Sequence, residues 1–266
     1  MSVVEHTIEL AGSPVFYRSA PATDPTPLYL HGIPTSSDDW LPFLERIGGI
    51  APDLPGFGRT GKAANLDYTI EGHARFLEQL MDALAVPRFA LVAHGWGAAA
   101  GLAYAQRNPG RVTRLVLVNA VPLFPAQSWP RIARLWRRPL VGELVMGATT
   151  KWLLARALRR GGRFDGAAID TIWRQFDQGT QRAILRLHRA ADEGRLVEAG
   201  AHLDALPVPA LVIWGERDPW LPPDLARSYT ERLPEAELEL VAEGGHWPWQ
   251  DDVTIVERVA RFLARG

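Results

Sequence analysis

The sequence contains no cysteine, only two lysines and only three methionines. The missing cysteine excludes disulfides, thiolate metal sites, iron–sulfur clusters and a thiol nucleophile together. An excess of charge is missing as well: 29 basic residues stand against 30 acidic in 266 positions, a formal net charge of −1. Binding a phosphate backbone needs a basic face, so no nucleic-acid partner is expected. No apolar run is long enough to span a bilayer, and the most apolar stretch, 89–105, is broken by His94 and several glycines. The opening Met-Ser-Val-Val-Glu-His has no cationic segment followed by an apolar one, which gives the expectation of a cytoplasmic chain without a secretory leader or membrane association. The seven histidines are scattered, and Gly56-Phe57-Gly58 is too short for a dinucleotide fingerprint. Neither a metal nor a cofactor is therefore expected.

What remains is a chain of one-domain size with ten tryptophans. Tryptophan is large and mostly buried, so it implies a big aromatic core or a pocket wall. Two alternating runs, 3–10 and 15–18, separated by Ala11-Gly12-Ser13-Pro14, read as a hairpin. Short apolar runs of the buried parallel-strand type follow at 27–30, 47–51, 89–93, 115–118, 210–214 and 238–241. Helix-period segments at 69–84, 96–107 and 253–264 lie between or after them. Strands alternating with helices predict an α/β protein: a mostly parallel sheet of about eight strands with helices on both faces.

One region breaks that rhythm. Between 122 and 204 no strand is visible, and 14 basic residues against 8 acidic give it +6, leaving 15 against 22 for 1–121 and 205–266. A helical insertion after the sixth strand would sit above the carboxyl ends of the sheet, where α/β folds bind ligands. It reads as a lid over a small apolar ligand, with Phe124, Trp129, Trp136, Trp152 and Trp173 as candidate pocket walls. Its charge reads either as an attraction for anions or as solvated helix faces such as Arg131/Arg134/Arg138 and Arg156/Arg159/Arg160/Arg163.

The chemistry-bearing motifs fall at strand ends. His31-Gly32-Ile33-Pro34-Thr35-Ser36-Ser37 follows one strand, and Asp53-Leu54-Pro55-Gly56 follows another, with Asp53 read as a structural hydrogen-bonder. The strand–turn–helix Ala93-His94-Gly95-Trp96-Gly97 has small residues flanking a sharp turn. Trp214-Gly215-Glu216-Arg217-Asp218 and Gly244-Gly245-His246-Trp247 close the series. Together these motifs resemble the α/β-hydrolase fold family across nearly the whole chain. The order 95, 218, 246 is the family's nucleophile, acid, base order. The resemblance implies Asp218 as acid, His246 as base, and the backbone N–H groups of Ile33 and Trp96 as oxyanion hole. It also puts His31, Trp96 and Trp247 near the pocket, and His94 beneath the turn. His-x-Trp-Gly and the Trp40 beyond the first motif look most like haloalkane dehalogenases and epoxide hydrolases. Two departures stand against a simple carry-over: Ile33 replaces the usual asparagine, and 122–204 contains no tyrosine.

The nucleophile position is Gly95, which has no side chain, so no covalent intermediate can form there. Three readings are open. The glycine replaces an Asp or Ser in a nucleophile-lacking variant of a hydrolase. Alternatively, a natural hydrolase or lyase uses the His246–Asp218 dyad as general base without a covalent step. Or the scaffold binds a small molecule without catalysis. Under each reading a monomer or homodimer is expected.

Overall fold

The computed structural model describes residues 1–125 and 129–265. Eight strands form one sheet: β1 (Val4–Leu10), β2 (Ser13–Ala20), β3 (Thr26–Leu30), β4 (Gly49–Pro52), β5 (Phe89–His94), β6 (Val112–Val118), β7 (Ala210–Gly215) and β8 (Ala236–Val241). Their order across the sheet is β1-β2-β4-β3-β5-β6-β7-β8. The hairpin β1–β2 and the β2–β4 pair are antiparallel, and the remaining pairs are parallel. Every residue of β5 and β7 is buried, as continuous apolar runs covered on both faces require. Their carboxyl ends carry Gly95 and Asp218.

Helices α1 (Leu41–Ile47), α2 (Ile70–Ala83) and α3 (Gly95–Arg107) fill the first half. Thr69 caps α2 by accepting the N–H of Gly72, and that helix buries Phe76, Leu77, Leu80 and Met81 on one side. Between β6 and β7 come α4 (Arg131–Trp136), α5 (Val141–Gly147), α6 (Lys151–Gly161), α7 (Gly166–Gln175), α8 (Gln178–Ala190) and α9 (Glu193–Ala199), with no strand among the described residues. Thr150, Asp165, Asp177 and Asp192 start α6 to α9 by accepting first-turn N–H groups, so side-chain oxygens set these boundaries. The end of the chain adds α10 (Asp224–Arg232), α11 (Pro248–Asp251) and α12 (Thr254–Leu263).

Two expectations shift. The run at 47–51 is split: Ile47 closes α1 and the strand begins at Gly49, because Gly48 caps the helix with a positive φ of 82°. Helix α10 escapes sequence reading because only Leu225, Ala226 and Tyr229 of its nine residues are buried.

Candidate functional site

Strand β5 runs into α3 without a linker, and the turn residue Gly95 has φ +53°. A Cβ built there would meet only Gly32 Cα at 3.4 Å and His246 Nε2 at 3.7 Å, both ordinary contacts. The position therefore has space for a side chain, and that space faces the histidine. Two residues on, Gly97 is sterically obligatory: a Cβ would lie 2.4 Å from the carbonyl oxygen of His31. This close approach lets α3 pack against the loop after β3, bringing Trp96 beside Ile33.

His246 stands on the loop after β8, its side chain nearly buried. Its Nδ1 is 2.6 Å from Asp218 Oδ2. With Nδ1–H donating to the carboxylate, the lone pair of Nε2 is directed to the space at Gly95. Asp218 is fully engaged in turn. Its Oδ1 accepts from the backbone N–H of Trp220 (2.8 Å) and Leu221 (3.1 Å), and its Oδ2 also accepts from Asn119 Nδ2 at 2.6 Å. Asn119 itself accepts the N–H of Gly215 at 3.1 Å, which ties the end of β6 to the acid's loop. Asn119 and Trp220, whose ring stands edge-on to His246 at 5.1 Å, were not among the sequence candidates. The only sequence signal for Asn119 is an amide at the mouth of an apolar strand.

The imidazole of His94 is buried beneath the base, with its Nε2 2.9 Å from the carbonyl oxygen of His246. Burial holds its pKa well below the usual histidine range, and neighbouring His246 adds to the depression. A neutral His94 donating through Nε2 anchors the loop that carries His246.

His31 is corrected from pocket wall to framework. It is fully buried; its Nδ1–H donates to Gly32 O (2.7 Å) and its Nε2 accepts the N–H of Leu54 (2.9 Å), so both ring nitrogens are used. Asp53 is likewise buried and structural, accepting from Ser37 N, Arg59 N and Arg59 Nε at 2.7–2.9 Å.

The aromatic candidates separate. Trp96 stacks on Trp129 at 5.8 Å, and His188 of α8 stands edge-on to Trp96 and Trp136, 5.0 Å from each. Burial pushes His188 down to about 4, so this cluster is neutral at physiological pH. Beside it Ile33 and Trp96, with Leu54, Phe57, Ile70 and Leu187, line a small apolar pocket with room for about one water. Trp247 is buried behind the base, 4.8 Å from the His246 ring. Three candidates lie elsewhere. Phe124 packs edge-on to Tyr229, Trp173 stacks on Phe176, and Trp152 is 67% exposed on the outer side of α6. Trp152 is thus no pocket wall, because α6 turns Leu154, Ala155 and Leu158 inward instead.

An eight-stranded, mostly parallel sheet with a strand–turn–helix and an Asp–His pair at its carboxyl edge defines a class. The sequence pattern of the alpha/beta hydrolase fold matches residues 28–252, and the chain belongs to that family. Within it the chain is dehalogenase-like. A haloalkane dehalogenase of Mesorhizobium japonicum is 30% identical over 283 residues, covering 96% of this chain and 90% of the relative. The crystal structure of the haloalkane dehalogenase DbeA from Bradyrhizobium elkani matches with a TM-score of 0.84 at 26% identity, over 99% of this chain and 98% of the other. A 2-hydroxy-6-oxononadienedioate/2-hydroxy-6-oxononatrienedioate hydrolase of Paraburkholderia phymatum is 25% identical over 288 residues, 100% of this chain and 95% of its own.

Proposed function

We propose that this chain is a nucleophile-lacking hydrolase acting on small apolar substrates. In it His246, oriented by Asp218, activates water in the space left at Gly95. The observation that carries this reading is the 3.7 Å from the Gly95 Cβ position to His246 Nε2, with Nδ1 already committed to Asp218. Water attacks the acyl carbon of an ester while Nε2 takes its proton, and the imidazolium is stabilised by the Asp218 carboxylate. The developing oxyanion is met by the N–H groups of Ile33 and Trp96 at the start of α3. Collapse of the tetrahedral intermediate expels the alkoxide, which takes the proton back from His246.

Acyl substrates suit this site better than haloalkanes. An oxyanion hole assists attack at a carbonyl, whereas a departing halide needs donors, and Ile33 has no side-chain donor to add. Helices α4 to α9 serve as the lid over the pocket, with Trp96, Trp129 and Trp136 as its aromatic wall. No cofactor takes part, and the expected location is cytoplasmic.

The test is turnover of short p-nitrophenyl esters by the parent and by His246→Ala. The parent is expected to be slow but measurable, about 10²-fold or more above the roughly 10³–10⁴-fold advantage over water that the oxyanion hole and binding retain on their own. His246→Ala should fall back to that lower level, and mass spectrometry should find no acyl-enzyme in the parent. Equal rates for parent and variant would overturn the general-base reading and leave a ligand-binding scaffold.

A further inference from the structure

The lid carries a second feature that hydrolysis does not use. Residues 131–163 hold nine basic residues against one acidic, a net of +8, so the rest of the chain carries −9. Seven of the eleven large apolar side chains that stand exposed among the described residues fall within 132–153 of that same segment. Leu140, Leu144 and Trp152 are 78%, 73% and 67% exposed.

The two features share the outer faces of α4, α5 and α6. Inward, these helices bury Ala133, Met146, Leu154 and Leu158. Outward, α4 presents Arg131, Arg134 and Leu135, the turn after it Arg138, and α6 presents Trp152, Arg156, Arg159 and Arg160. Pairing also differs from the rest of the surface. Most exposed arginines elsewhere meet carboxylates, as in Arg46–Glu257, Arg75–Asp67 and Arg217–Glu243, although Arg88, Arg174, Arg186 and Arg261 do not among the described residues. In the segment, Glu143 is taken by Arg189 and Lys151 by Asp170, while Arg131, Arg134, Arg138, Arg156, Arg159 and Arg160 have no acidic partner among the described residues. Unpartnered guanidinium groups interleaved with exposed Trp and Leu match an interface that is anionic at its surface and apolar just beneath.

The geometry points to the outer face of α4–α6 as a docking surface for an anionic phospholipid bilayer, on which the chain rests peripherally with no segment crossing it. Trp152, Leu144 and Leu140 enter the headgroup–acyl boundary and the arginines meet lipid phosphates. The −9 on the remainder is repelled by the same surface, which favours docking through this segment. A second copy of this face is disfavoured by +8 facing +8. An acidic protein would satisfy the charge, but Leu140, Leu144 and Trp152, each at least 67% exposed, also need an apolar layer beneath that charge.

Co-sedimentation of the full chain with vesicles tests this. Phosphatidylcholine vesicles are compared with phosphatidylcholine/phosphatidylglycerol vesicles at low and high salt, with tryptophan emission recorded. Expected is about tenfold or more tighter binding to the anionic vesicles, a blue shift on binding, and weakening at high salt. Leu144→Ser/Trp152→Ser and Arg156→Glu/Arg159→Glu/Arg160→Glu should each lower affinity about tenfold or more, with thermal unfolding checking that the fold is intact. If either combined variant unfolds early, Trp152→Ser alone should still lose most of the blue shift. Equal binding to both vesicles, or none, overturns the proposal. So does anionic binding that Leu144→Ser/Trp152→Ser keeps in full, tighter binding to polyglutamate than to vesicles, or a dimer that the same variants dissolve.

Discussion

Restoring an oxygen at position 95 should switch the covalent route back on. The Cβ of a Gly95→Ser variant meets Gly32 Cα at 3.4 Å and His246 Nε2 at 3.7 Å, so nothing must move to admit it. A hydroxyl oxygen one bond further can come within the roughly 2.6–3.2 Å of Nε2 that proton transfer needs. The opposing term is backbone strain: φ is +53° there, and a side chain in that region costs roughly 1–2 kcal/mol. Losing the nucleophile from such a site removes about 10⁴–10⁶ in kcat, or roughly 5–8 kcal/mol at 1.36 kcal/mol per decade. Chemistry outweighs strain, and strain falls on stability rather than on the barrier. Gly95→Ser is therefore expected to raise kcat on short p-nitrophenyl esters by about 10²–10⁴, with a pre-steady-state burst and an acyl-enzyme mass. The melting temperature should fall by a few degrees. Gly95→Asp should form an alkyl-enzyme with haloalkanes but turn over poorly, because Ile33 offers no donor to the halide. A folded Gly95→Ser protein with neither burst nor rate gain would refute the reasoning.

Further outcomes follow from the groups around the dyad. Asn119→Ala removes a 2.6 Å hydrogen bond to Asp218 and leaves the Gly215 N–H without its acceptor. A loss of about 1.5–3 kcal/mol in urea unfolding is expected, with kcat lowered and KM little changed. Asp39 is buried beside Thr35, and burial pushes its carboxyl up to about 8 from 3.8. The folded state thus holds a proton that the unfolded chain releases near 3.8, so this group's contribution is complete at low pH and is lost as pH rises toward 8. Asp39→Asn should flatten the fall in melting temperature between pH 4 and 8.5, leaving the variant more stable than the parent at the alkaline end; an unchanged slope would refute this.

The fold is legible in the sequence where burial is two-sided. Runs such as 89–93 and 210–214 have no polar face to hide their period, and the glycines at 95 and 97 mark the sharp entry from strand into helix. Asp218 and His246 are legible as a pair through the resemblance of the loops after β7 and β8 to the family's motifs. Asn119 is not, because its role lies in hydrogen bonds to residues almost a hundred positions away. Nor are the roles of His31 and Trp152. Histidine after a strand looks alike whether its nitrogens face a pocket or, as for His31, a carbonyl and an amide of the framework. Trp152 falls on the outer side because Thr150 starts α6 where it does, and one residue of cap placement rotates the helix by about 100°.

The open space at Gly95 also bears on descent. Two of the four glycine codons, GGU and GGC, are a single base change from codons for both aspartate and serine. Because a Cβ at this turn meets only ordinary contacts, passage between the glycine form and a covalent one asks for no rebuilding of the surrounding protein. On the proposed reading, a lineage can lose the attacking group and recover it, with either of two chemistries, while His246, Asp218 and helices α4 to α9 persist unchanged.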